Sequence, residues 1–153
     1  MTIFNGLETT IEAYHQVIID FVKGNPEPAK AIFSGRDDVS LANPFGGIMR
    51  GHKAVADAVD KAASVYREGT ATFETIVKYV TSELAYMVEL EEYKTKLGGR
   101  PDLSTVSLRV TSIFRLEDNA WKLAHRHADP LTIVKPVESI VKDALCVGSR
   151  CYF

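Results

Sequence analysis

Residues 104–129 read STVSLRVTSIFRLEDNAWKLAHRHAD, and this stretch decides the fold. From Ser104 to Leu116 it alternates. Val106, Leu108, Val110, Ser112, Phe114 and Leu116 occupy the even positions, and Ser107, Arg109, Thr111, Ile113 and Arg115 the odd ones. Side chains along a strand point to opposite faces in turn, so the even set forms an apolar face that needs cover. Glu117-Asp118-Asn119 supplies turn chemistry, and Ala120–Asp129 reads as the returning strand of a hairpin. That second strand has no clear parity. Trp121, Leu123, His125 and His127 share one side, and Lys122, Ala124, Arg126 and Ala128 share the other.

Upstream, Thr70–Thr81 and Leu84–Lys96 have the same Val, Ile, Thr, Tyr and Phe content and are joined by Ser82-Glu83. Gly98-Gly99-Arg100-Pro101-Asp102 links them to the quoted stretch. Short links between long strands predict an antiparallel meander. In Leu84–Lys96 the greasier set is Leu84, Tyr86, Val88 and Leu90, so this set is expected to face inward, against Met87, Glu89 and Glu91.

The first half reads as helical. Thr9 and Glu12 have capping-box spacing, and Ile11, Tyr14, Ile18, Phe21 and Val22 recur at helical intervals up to Gly24. Asn25-Pro26 predicts the start of a short helix that runs to Phe33. A brief strand, Val39–Asn43, leads into the turn Pro44-Phe45-Gly46-Gly47. A third helix is expected over Lys53–Glu68, closed by Gly69. Helices first and a meander afterwards define an α+β fold.

Composition narrows the classes. The 153 residues suit one domain, 1–153, with a core of about 8–130 and a tail of 131–153 in which Val137–Leu145 reads as a short helix. Hydrophobic residues make up 46% and charged residues 25%, and the formal net charge is -2, which gives no electrostatic reason to expect nucleic acid. No apolar run is long enough to span a bilayer, and Met1–Glu8 does not read as a signal peptide. The only cysteines, Cys146 and Cys151, lie in the tail and read as free thiols, so a cytoplasmic location is expected.

Two segments carry a resemblance: DDVSLANPFGGIMRGHKAV (37–55) and LRVTSIFRLEDNAWKLAHRHADP (108–130). Together they resemble the SnoaL-like and ketosteroid-isomerase-like branches of the nuclear transport factor 2-like superfamily. The resemblance implies a cone-shaped, cystatin-like fold, in which a curved antiparallel sheet and three N-terminal helices enclose a pocket. It implies a homodimer paired through the outer sheet face. It places Tyr86, Val88, Ser112, Phe114, Ala124, Arg126 and Ala128 inward, and Trp121, His125, His127 and Arg109 outward. Trp121, Ile113 and the histidines would then form an apolar outer patch.

Isomerases of this kind use a carboxylate base before the Pro-Phe-Gly turn, a tyrosine on the first helix and an acid on a strand. Here those positions hold Asn43, Ile18 and Ser112, with Tyr14 one turn before Ile18. Asn43 cannot accept a proton at neutral pH. The expected ligand contacts are Tyr14, Asn43, Phe45, Tyr86, Ser112, Phe114 and Arg126, around a small apolar or aromatic molecule. Arg126 needs an anion at its depth, either a ligand carboxylate or a protein carboxylate such as Glu92. His127 and Asp129 are the catalytic candidates, as an acid/base pair at the pocket mouth. His125, His127 and Asp129 also form a candidate metal set, against which stands a hydrogen-bonded interface involving Thr111 or Arg109. Two functions remain open. One is a cofactor-independent isomerase or cyclase that moves a proton on a carbonyl compound. The other is a ligand-binding or assembly domain without chemistry.

Overall fold

The computed structural model describes residues 3–141. Three helices come first: α1 (Ile3–Phe21), α2 (Glu27–Ile32) and α3 (His52–Ala63). Two short strands, β1 (Ser40–Ala42) and β2 (Ile48–Arg50), lie between α2 and α3. Four long strands follow: β3 (Tyr66–Val80), β4 (Leu84–Leu97), β5 (Leu103–Glu117) and β6 (Ala120–Pro130). They form one curved six-stranded sheet in the order β2-β1-β6-β5-β4-β3. Every neighbouring pair is antiparallel except β1 with β6. This is the expected α+β cone, with β2 as a strand the sequence reading did not include.

α1 buries Ile11, Tyr14 and Ile18 at the expected helical spacing, together with Leu7; Val22, just past its end, is also buried, and Phe21 is half-buried. It starts at Ile3, so Thr9 and Glu12 lie inside it and not at its cap. The carbonyl side chain of Asn25 accepts the Glu27 N–H at 3.2 Å and opens α2. α3 buries Val55, Val59, Ala62 and Ala63 and ends there, because Tyr66 is already paired with Leu97 in the sheet. Gly69 therefore belongs to β3. Its N–H donates to the Val22 carbonyl at 3.0 Å, at a break in the β3–β4 register. Of the short helix expected over Val137–Leu145, the described part is a 3-10 turn at Val137–Ile140, and residues 142–145, Cys146 and Cys151 lie outside the described residues.

The inner face of β5 is the expected one, with Leu108, Val110, Ser112 and Phe114 all buried. β4 is the reverse of expectation. Ala85, Met87, Glu89, Glu91, Tyr93 and Thr95 are buried, and Tyr86 is exposed, stacked on Tyr79 with ring centroids 5.8 Å apart. The cause is pairing: Met87 lies opposite Ser112 and Glu91 opposite Leu108, so the buried parity of β5 is imposed on the odd positions of β4. β6 changes parity midway. Trp121 and Leu123 pair with Leu116 and Phe114, then Ala124 is an extra residue, and Arg126 and Ala128 pair with Ser112 and Val110. All four are buried, so Trp121 faces inward and not outward. The bulge also explains why no single parity could be read for this strand.

Candidate functional site

At the centre of the cone, Arg126 reaches inward from β6 and is 8% exposed. A buried guanidinium needs a counter-charge and acceptors. Glu91 on β4, 1% exposed, supplies the charge through its Oε2, 2.6 Å from Arg126 Nη2. Arg126 Nε donates to Tyr14 Oη at 2.9 Å, and Nη2 also donates to Tyr93 Oη at 3.1 Å. Tyr14 donates to Glu91 Oε1 at 2.7 Å, and Tyr93 donates to Glu91 Oε2. Ser112 completes the set by donating to Tyr14 Oη at 3.2 Å. Both carboxylate oxygens are thus engaged. Arg126 Nη1 makes no hydrogen bond within the described residues.

The electrostatics favour a fixed proton arrangement. Burial pushes the Tyr14 phenol well up, with the Arg126 charge opposing. Burial and then the Glu91 charge push Tyr93 well up. Burial works against the charged form of Arg126, but Glu91 and the two tyrosines outweigh it and hold the guanidinium protonated. The cluster therefore keeps its donors across the neutral range.

A cavity of about 40 Å³ lies against this cluster. Arg126, Tyr93 and Tyr66 form its polar end, Asn43 and Phe45 its loop side, and Ile18, Phe33, Leu41, Val59 and Leu108 its apolar walls. Of the seven expected ligand contacts, Asn43, Phe45 and Arg126 line it. Tyr14 and Ser112 stand behind Arg126 as its hydrogen-bond partners. Phe114 is core, edge-on to Tyr14 at 5.7 Å. Tyr86 lies on the opposite face of the sheet. The cavity is much smaller than a roomy cone would provide, because Tyr14, Tyr93, Glu91 and Arg126 fill the interior.

Tyr93 and Tyr66 were not read from the sequence as site residues, and Glu91 was considered only as a further metal ligand and not as the partner of Arg126. The signal for Glu91 and Tyr93 was Arg126 itself, which needs a carboxylate on a facing strand. The partner is Glu91 and not Glu92, which is exposed. A second polar cluster lies beside the first. Glu89 Oε1 is 2.8 Å from His15 Nε2 and accepts from Thr75 at 3.1 Å, and the His15 ring stacks on Phe73 at 4.1 Å. Glu89 Oε2 is buried without a partner among the described residues.

The histidines of β6 lie on the outer face. His125 Nδ1 is 2.8 Å from Ser40 Oγ, and burial followed by the nearby His127 lowers its pKa. His127 Nε2 is 3.1 Å from Asp129 Oδ1, and Arg109 donates to Asp129 Oδ2 at 3.2 Å. His127 and Asp129 are thus a surface pair and not an acid/base pair at the pocket mouth. Among the described residues no group of three His, Cys, Asp or Glu side chains is arranged to hold a metal ion.

A six-stranded cone with helices across its mouth and a polar cluster at its centre defines a nuclear transport factor 2-like domain. Residues 7–131 match the model of the SnoaL-like domain, and the chain belongs to that family. Its fold is similar to a nuclear transport factor 2-like superfamily protein from Salmonella enterica serovar Typhimurium, at 14% identity and a TM-score of 0.74, covering 89% of this chain and 96% of the other. It is also similar to a domain with a cystatin-like fold from Nostoc punctiforme, at 21% identity and 0.64, covering 83% and 78%. A ketosteroid isomerase-like protein from Erwinia carotovora matches at 13% and 0.66, covering 84% and 96%. These likenesses describe the fold. No curated protein matches the sequence. No helix among the described residues is long and apolar enough to cross a membrane.

Proposed function

We propose that this chain is a small-molecule-binding domain whose ligand is an apolar or aromatic compound with a carbonyl or carboxylate oxygen directed at Arg126. The observation that carries this reading is a buried, protonated arginine that lines an apolar cavity and whose Nη1 has no hydrogen-bond partner in the described residues. Asn43 adds an amide on the loop side. The same arrangement favours binding over isomerisation. Asn43 stands where a base is required, and Glu91 has both oxygens occupied by Tyr14, Tyr93 and Arg126. No cofactor enters this reading, and a cytoplasmic location fits the two-cysteine composition.

The test is a combined binding and turnover screen of aromatic carboxylates and enolisable ketones. Wild type is compared with Asn43→Leu and with the charge-neutral double variant Arg126→Met, Glu91→Gln. Each variant is expected to weaken binding at least about tenfold, with no turnover in any form. Turnover that depends on pH and is lost in either variant would establish the isomerase or cyclase function instead. Binding unchanged in both would remove Arg126 as the ligand contact.

We also infer a homodimer through the outer sheet face. Val77 (42%), Tyr79 (58%) and Tyr86 (38%) are exposed there, and Ile113 is paired with Tyr86 beside them. Trp121 is buried and takes no part.

A further inference from the structure

The cavity beside Arg126 holds about 40 Å³, room for water but little more. Drug-sized ligands need roughly 300–1,000 Å³. A groove of about 380 Å³ lies next to it, between the 43–49 segment and α3. Asn43, Phe45 and Ala62 line both spaces, and of these three Phe45 is the exposed one.

We propose that cavity and groove are one ligand site divided by Phe45, and that its ligand is an elongated apolar carboxylate or carbonyl compound lying in both once Phe45 swings aside. This extends the binding function proposed above. It adds the groove residues Met49, Ala58, Lys61 and Val65 to the site, and gives Phe45 the role of a gate.

The local structure suits that motion. Phe45 is 61% exposed, and its ring lies tilted against that of Tyr66, with centroids 6.4 Å apart. Gly46 and Gly47 follow at φ +96° and +80°, and a Cβ added at Gly46 would meet nothing within 4 Å. The turn is closed by the Gly46 N–H donating to the Asn43 carbonyl at 2.9 Å. Little packing opposes a rotation of the ring toward solvent.

The chemistry of the two spaces selects the ligand. Its oxygen meets Arg126 at the deep end. Its body lies against Met49, Ala58 and Val65. Lys61 stands on the groove wall without an ion pair among the described residues, while the adjacent Asp60 is held by Lys30 at 2.9 Å. Among the described residues Lys61 is thus the one charged side chain lining the groove, as Arg126 is in the cavity, which favours an acidic or oxygen-rich compound over an amine.

Thiol accessibility tests the gate without a ligand. In a Cys146→Ser, Cys151→Ser background, Ala29→Cys places a thiol on the cavity wall, and Ala128→Cys places one in solid core that does not line it. Phe45→Ala should speed methyl methanethiosulfonate labelling at position 29 about tenfold or more and leave position 128 unchanged. Equal effects at both positions, or none at 29, would overturn the gate. 2-Naphthoate then tests the ligand: it should protect position 29, and Ala58→Trp, which fills the groove, should abolish that protection. No protection in the parent would overturn the ligand assignment. Protection lost with Asn43→Leu but kept with Ala58→Trp would leave the small cavity as the binding site and overturn the two-part site alone.

Discussion

Arg126 is stable at its depth because one carboxylate and two phenols meet it there. Removing the carboxylate while keeping the charge is the costly change. Glu91→Gln should lower stability by about 3–5 kcal/mol, since it leaves a buried cation unpaired. Arg126→Met added to Glu91→Gln should recover part of that loss, because the two effects are coupled and not additive. Urea unfolding of the two single variants and the double variant measures this, and simple additivity would show that the pair is not the source of the effect. At this scale the sequence was half legible. Arg126 announced a need for an anion, and Asn43 announced the lack of a base. Glu91 was assigned to the outer face because β4 was oriented by greasiness, and its inner side carries Glu89, Glu91, Tyr93 and Thr95. A polar interior satisfied by its own hydrogen bonds defeats a hydrophobicity argument.

The elements were legible where the period is unbroken. β4, β5 and β6 fall within a residue or so of their expected ends, because their turns are short and their β-branched content is high. Errors collect at irregularities. The Ala124 bulge reversed the orientation of Trp121, and the close approach of β3 to α1 turned Gly69 from a helix stop into a strand residue. Gly69 gives a sharp test. A Cβ there would stand 2.3 Å from the Val22 carbonyl oxygen and 2.7 Å from Val22 Cβ, so something must shift. Gly69→Ala should lower stability by about 1–3 kcal/mol in thermal unfolding. Gly35→Ala meets nothing within 4 Å and is the control, expected between neutral and a gain of about 1 kcal/mol. Equal effects at the two sites would show that the α1–β3 seam is looser than its geometry.

At the scale of the whole molecule, the sheet has one face covered by α1, α2 and α3 and another that carries Val77, Tyr79, Tyr86 and Ile113. A second copy would cover that patch. Light scattering at micromolar concentration should give twice the chain mass, and Tyr86→Asp, which puts a charge in the patch, should halve it. A wild-type monomer under those conditions would remove the dimer. The sequence by itself determined the class and the outline: amphipathic helices, then long alternating strands with short turns, can bury their apolar sides only against one another. The tertiary structure decided which side of each strand does so. Register is set by the neighbouring strand and by bulges, which are properties of pairs, so the depth of Glu91, the inward turn of Trp121 and the narrow cavity beside Arg126 follow from packing and not from any one segment.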